Sequence, residues 1–179
     1  PQADPAGVKS SASAPEAMAK IAKAAVPFIS RGDDSGTHAK EKELWAAANV
    51  IPSGSWYFSV GQGMSAVLSI AREKQGYALT DRATYLTLTK TGLDLVILCE
   101  GDQRLFNWYD VILVNPKRYK TVNADLGDKF IEWITSLETQ EKIRSFAVAD
   151  FGQSLFFPNS EQWRATKGAA GKTEDSPGR

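Results

Sequence analysis

Three times in the first half of the chain a short apolar run breaks at glycine, hydroxyl or charged residues, and a helical pattern follows. Val26–Ser30 passes through Arg31–Gly36 into a helix expected to reach about Asn49, with Leu44, Trp45 and Ala48 as its apolar stripe. Trp56–Val60 breaks at Gly61-Gln62-Gly63, after which Met64, Val67, Leu68 and Ala71 recur at helical spacing. Tyr77–Thr80 ends at Asp81-Arg82, which opens a helical turn through Leu86. Apolar runs of this length closed by turns read as strands. Strands alternating with helices predict an α/β layer with a partly parallel sheet.

The rest of the chain is read around that unit. Pro1–Gly7 is expected to be an extended connection, and Pro15 suits the first turn of a helix over about 15–25. Two longer strands are predicted at Leu93–Cys99 and Tyr109–Val114, the second closed by Pro116. After Arg118 the pattern turns helical: Leu126, Phe130, Trp133, Ile134 and Leu137 share one face, and a second short helix covers about Thr139–Val148. Phe151, Leu155, Phe156 and Phe157 form an aromatic run behind a glycine turn, and the tail from Ala165 is expected to be disordered.

Composition narrows the function classes. Lys plus Arg and Asp plus Glu both total 21 in 179 residues, so the formal net charge is zero. A general nucleic-acid binder would need a basic surface, so no nucleic-acid partner is expected. No apolar run approaches the roughly 20 residues of a membrane span. Cys99 is the only cysteine, which excludes an intrachain disulfide or a cysteine-rich zinc site and reads as a buried, inert thiol. No initiating methionine and no signal-peptide pattern are present.

The chemistry concentrates at the three turns. In Ser30-Arg31-Gly32-Asp33-Asp34-Ser35-Gly36-Thr37-His38, residues Ser35, Gly36 and Thr37 lie at a helix N-terminus. Unpaired amides there carry roughly half a positive charge, and glycine lets a ligand approach the backbone. With Arg31 offering a planar fork of donors, this is a cradle for an anion. The alternative is an ordinary cap, in which Asp34 or Ser35 closes the first turn and Arg31 pairs with Asp33. Arg82, with Asp81 as cap, sits where the helix dipole disfavours a cation, so it either meets an anion or points into water. Gly63 adds a third turn able to donate amides. Together the turns would line the carboxyl edge of one sheet, where ligands bind in open α/β folds, and two arginines would balance a tetrahedral dianion. His38 has no visible nucleophile partner, Asp33 and Asp34 read as capping residues, and Lys40–Glu43 reads as a solvated helix face.

The stretch Phe28–His38, with Lys40-Glu41-Lys42, Trp56-Tyr57, Gly61-Gln62-Gly63-Met64 and Leu79-Thr80-Asp81-Arg82, closely resembles the tungstate-binding (TupA-like) solute receptors. Val111–Pro116 and the Trp133–Gln140 stretch with Ile143 are similar to the returning segment of type II binding proteins. The resemblance implies a type II periplasmic-binding-protein-like chain with one complete αβα lobe. That ligand-gripping second lobe would span 1–118, helices returning to the first lobe 119–164, and the disordered tail 165–179. It implies a non-enzymatic receptor, periplasmic or extracellular and associated with a membrane. Such a receptor closes on tungstate or molybdate and hands it to an ABC permease, the metal arriving only as oxyanion and no cofactor being needed. The oxyanion-binding residues would be Arg31, Ser35, Gly36, Thr37, Gly63, Asp81 and Arg82. The family's threonine- and serine-rich first strand has no counterpart here. Pro1 is therefore expected to lie just past the crossing into the second lobe, leaving the face of Phe130, Trp133 and Leu137 exposed. Phosphate or sulfate as ligand, or an enzyme using the Arg31–Thr37 turn as a phosphate cradle, are the alternatives.

Overall fold

The computed structural model describes residues 1–169, which divide into two compact units, residues 1–106 and the residues from Asn107 onward. The division falls before the expected boundary at Arg118.

The first unit is built on a minimal parallel ladder. Strand β1 (Phe28–Ser30) pairs with β2 (Tyr57–Ser59) in parallel register, Ile29 opposite Phe58. Parallel neighbours need a crossover, supplied by helix α2 (Gly36–Ala47). On the other flank of β1 the expected third strand shrinks to a single parallel bridge from Phe28 to Tyr77. There the Ile29 amide donates to the Tyr77 carbonyl and the Tyr77 amide to the Pro27 carbonyl, both at 2.8 Å. Helix α3 (Met64–Glu73) makes the second crossover, and α4 (Arg82–Thr89) follows the bridge.

Adjacent residues on a strand face opposite ways, and β1 uses this to separate two cores. Phe28 packs with Leu44 and Trp45 of α2 and with Ala17, Met18 and Ile21 of α1 (Ala14–Ala24). Ile29 packs with Met64, Val67, Leu68 and Ala71 of α3. Helices thus cover both faces of the ladder, as in an α/β layer. Pro15 occupies the first turn of α1, as its fixed φ favours, and the Ser13 hydroxyl caps that helix.

Three expectations fail in this unit. The opening is not an extended connection: the Asp4 carboxylate accepts from the Val8 and Lys9 amides and from the Tyr77 hydroxyl, folding 1–10 into turns with a 3₁₀ turn at Val8–Ser10. Leu93–Cys99 forms no strand, because no ladder reaches it; the Leu93 amide donates to the Leu88 carbonyl at the end of α4, and the Tyr85 hydroxyl donates to the Leu95 carbonyl. Its apolar residues still pack, Leu95 against α3 and Leu98 and Cys99 against the α1–α2 core. Finally, Lys40–Glu43 is not uniformly solvated, because Glu41 is buried at 2% exposure.

The second unit is helical: α5 (Ala124–Thr135), α6 (Leu137–Ser145), α7 (Val148–Phe151) and α8 (Glu161–Ala169). Tyr109–Val114 is not a strand either, since no partner pairs with it; Ile112 is 82% exposed. The short helix expected over 139–148 begins earlier, at Leu137, where the Ser136 hydroxyl caps it. Buried Gln140 ties the unit together, donating to the Ile134 carbonyl at 2.8 Å and accepting from the Asn159 and Ser160 amides. Phe130, Trp133 and Leu137 are 52%, 53% and 42% exposed, leaving the expected apolar face uncovered within this unit. The predicted disordered tail begins too early: residues 165–169 continue α8, and 170–179 lie outside the described residues. No helix among the described residues is long and apolar enough to cross a membrane.

Candidate functional site

Because β1, β2 and the Tyr77 bridge run parallel with β1 between the other two, the turns that leave them emerge at one edge. Those turns carry the Arg31–Thr37 segment, Gly61–Gly63 and Asp81–Arg82. The first two are joined directly: the Val60 amide donates to the Ser30 carbonyl at 3.1 Å and the Gln62 amide to the Arg31 carbonyl at 3.2 Å. Gly32 makes this closeness possible. It adopts φ 62°, and a Cβ there would collide with the Ser59 hydroxyl and stand 3.3 Å from the Gly61 amide nitrogen.

The capping reading of the first turn is the one whose contacts are present. Ser35 is the N-cap of α2, its hydroxyl accepting from the His38 amide at 3.3 Å. Arg31 places both Nε and Nη2 on Asp33 Oδ2, at 3.0 and 2.6 Å, while Asp33 Oδ1 accepts from the Ser35 amide. The Ser35 side chain and the Arg31 guanidinium hold the Asp33 carboxyl well below the usual carboxylate range. Asp34 takes a left-handed φ of 55°, and its amide donates to His38 Nδ1 at 3.0 Å. His38 therefore serves the turn. Beyond the cap, the space around Gly36 is open, and among the described residues the amides of Gly36 and Thr37 donate to no protein acceptor. Such amides at a helix start are suited to an anion.

The other turns contribute less uniformly. Gly63 starts α3 with no side-chain cap bond and open space where a Cβ would stand. Asp81 is committed to its cap, its carboxylate accepting from both the amide and the hydroxyl of Thr84 at 2.8 Å. Arg82 does not point into free water: its Nη2 pairs with Glu100. The three turns thus share an edge, while each arginine is held by a carboxylate of its own.

Sequence reasoning missed two carboxylates. Glu41 Oε1 accepts from the Trp45 indole at 3.1 Å and the Tyr57 hydroxyl at 2.8 Å, pinning α2 to β2 just behind the turns. Burial, reinforced by Glu41, pushes Tyr57 up to about 12. The signal was present as Glu41 and Trp45 one helical turn apart, with a tyrosine in the neighbouring strand. Glu100 had no local signal, lying eighteen residues from Arg82. Cys99 is half-buried, and burial with the nearby Asp102 and Glu100 carboxylates pushes its thiol up, in keeping with an unreactive group. Among the described residues no group of three or more His, Cys, Asp or Glu gathers that could hold a metal ion.

Comparison with known proteins places this architecture. The model of the PBP superfamily domain matches residues 1–138. Over 144 residues the chain is 45% identical to the tungstate-binding protein TupA of Peptoclostridium acidaminophilum, covering 80% of this chain and 50% of that protein. It is 47% identical over 137 residues to TupA of Campylobacter jejuni, covering 74% of this chain and 51% of that protein. The solved structure of TupA from Desulfovibrio alaskensis superposes with a TM-score of 0.77 at 43% identity, covering 90% of this chain and 65% of that one. The chain spans about half the length of the curated relatives it matches. The α/β, periplasmic-binding-protein-like fold and the TupA-like resemblance read from the sequence agree with these matches, and the chain belongs to the PBP superfamily.

Proposed function

We propose that this chain is the anion-gripping part of a solute-binding receptor for a tetrahedral oxyanion, tungstate or molybdate. The receptor delivers that anion to an ABC permease from outside the membrane. The observation that carries the reading is the shared edge of three strand-to-helix turns, with the unclaimed amides of Gly36 and Thr37 at its centre. Arg31 supports it: two of its N–H groups brace on Asp33, and Nη1 remains to meet a ligand oxygen. The tungstate-binding relatives supply the ligand class. In this reading Ser35, Gly36, Thr37 and Gly63 cradle the anion, Arg31 and Arg82 balance its two charges, and Asp81 orients the start of α4.

Calorimetric titration with sodium tungstate, molybdate, sulfate and phosphate tests the proposal. Tungstate or molybdate should bind and raise the melting temperature far more than sulfate or phosphate. Arg31→Ala should weaken tungstate binding by about tenfold or more, the scale of a lost hydrogen bond to a charged group. Tighter binding of phosphate would reassign the ligand, and no binding of any oxyanion at millimolar concentration would refute the receptor reading.

A further inference from the structure

We propose that the Glu100 carboxylate is a resident competitor for the Arg82 guanidinium, which the oxyanion displaces on binding, so that Glu100 sets how tightly the anion is held. The inference rests on the reading of Arg82 as an anion ligand.

The two arginines are held in contrasting ways. Arg31 and Asp33 are two residues apart, and the second oxygen of Asp33 is engaged by the Ser35 amide. Their side chains are 22% and 24% exposed, so this pair is a brace built into its turn. Arg82 instead reaches eighteen residues along the chain, and it and Glu100 are 39% and 55% exposed. Among the described residues Glu100 makes no other hydrogen bond. Nothing but Arg82 fixes that carboxylate.

The position of Arg82 explains why such a partner is useful. In the first turn of α4 the guanidinium faces the positive end of the helix dipole, and an anion beside it is stabilising. Glu100 fills that need when no ligand is bound. A carboxylate oxygen and an oxyanion oxygen make the same demand on a guanidinium N–H. An arriving dianion must therefore part Arg82 from Glu100 and also meet the Glu100 charge at short range. The exchange is easy, because exposed ion pairs are weak. It still lowers affinity, which favours release.

Glu100→Gln keeps the shape and removes the charge. Titrated with sodium tungstate, it should bind about two- to fivefold more tightly than the parent chain, the scale of one exposed ion pair, and the gain should shrink with added salt. In an Arg82→Gln background the same change should bring a smaller gain, from the relieved charge repulsion alone, and Glu73→Gln, on α3, should leave affinity unchanged. Equal or weaker binding by Glu100→Gln overturns the proposal, as does an equal gain without Arg82 or in the Glu73 control. No binding by either the parent or Glu100→Gln removes the receptor reading itself, and the competitor with it. Binding by Glu100→Gln alone supports both.

Discussion

Removing the Glu41 carboxylate should destabilise the first unit far more than its place in a charged helical stretch suggests. Glu41 is 2% exposed and accepts two hydrogen bonds on one oxygen, from the Trp45 indole and the Tyr57 hydroxyl. Around it Phe28, Trp45, Trp56 and Tyr57 pack ring on ring, with Phe28 and Trp45 centroids 5.0 Å apart. Glu41→Ala strands both donors where water reaches poorly. Each orphaned donor costs about 1–3 kcal/mol, so the pair costs roughly 2–6 kcal/mol before any cavity is counted. Glu41→Gln keeps an acceptor oxygen and loses only the extra strength of a charged acceptor, about 1–2 kcal/mol. Urea unfolding followed by fluorescence checks the order, because Trp45 and Trp56 report on the first unit and Trp108, Trp133 and Trp163 on the second. A penalty below about 1 kcal/mol for Glu41→Ala, or equal penalties for the two variants, would refute the reasoning. The functional consequence is local: α2 starts at the Gly36–Thr37 amides, and Glu41 ties that helix to the strand that leads into Gly61–Gly63.

Gly32→Ala should cost about 1–2 kcal/mol from its left-handed backbone alone, and more as Ser59 is pushed aside; thermal melting at wild-type temperature would contradict the close approach of the first two turns. Alkaline pH offers a separate test through Tyr57 and Tyr77, both pushed up to about 12 first by burial, the former also by Glu41 and the latter by Asp4. Since their folded values lie above the unfolded one near 10, their contribution to stability is complete below pH ~10 and is lost as pH rises toward ~12. Spectroscopic titration of the parent against Tyr57→Phe and Tyr77→Phe should assign late ionisation to both hydroxyls, and ionisation of either near the unfolded value would contradict the buried hydroxyl contacts.

Much of the candidate site was legible because its local parts are spelled out by neighbouring residues. Caps at Ser35 and Asp81 join groups three positions apart, and helical spacing alone identified the buried face of α3. The Arg31–Asp33 pair was available for the same reason. Strand signals were weaker guides. Leu93–Cys99 and Tyr109–Val114 have strand composition, yet a strand exists only where a second backbone pairs with it, and composition does not say whether one arrives.

The sequence by itself determined the order of the three strand-to-helix turns, the caps at Ser35 and Asp81, and which residues stand at the starts of α2, α3 and α4, since all of these follow from interactions within a turn or two of chain. Tertiary structure alone decided that the three turns share an edge, that Glu41 goes inward beneath Tyr57, and that Arg82 meets Glu100. The physical reason is one of range. A hydrogen bond within four residues is nearly fixed by backbone geometry, whereas a partner sixteen or more positions away becomes a neighbour only once packing of the core has paid the entropy of closing the loop between them.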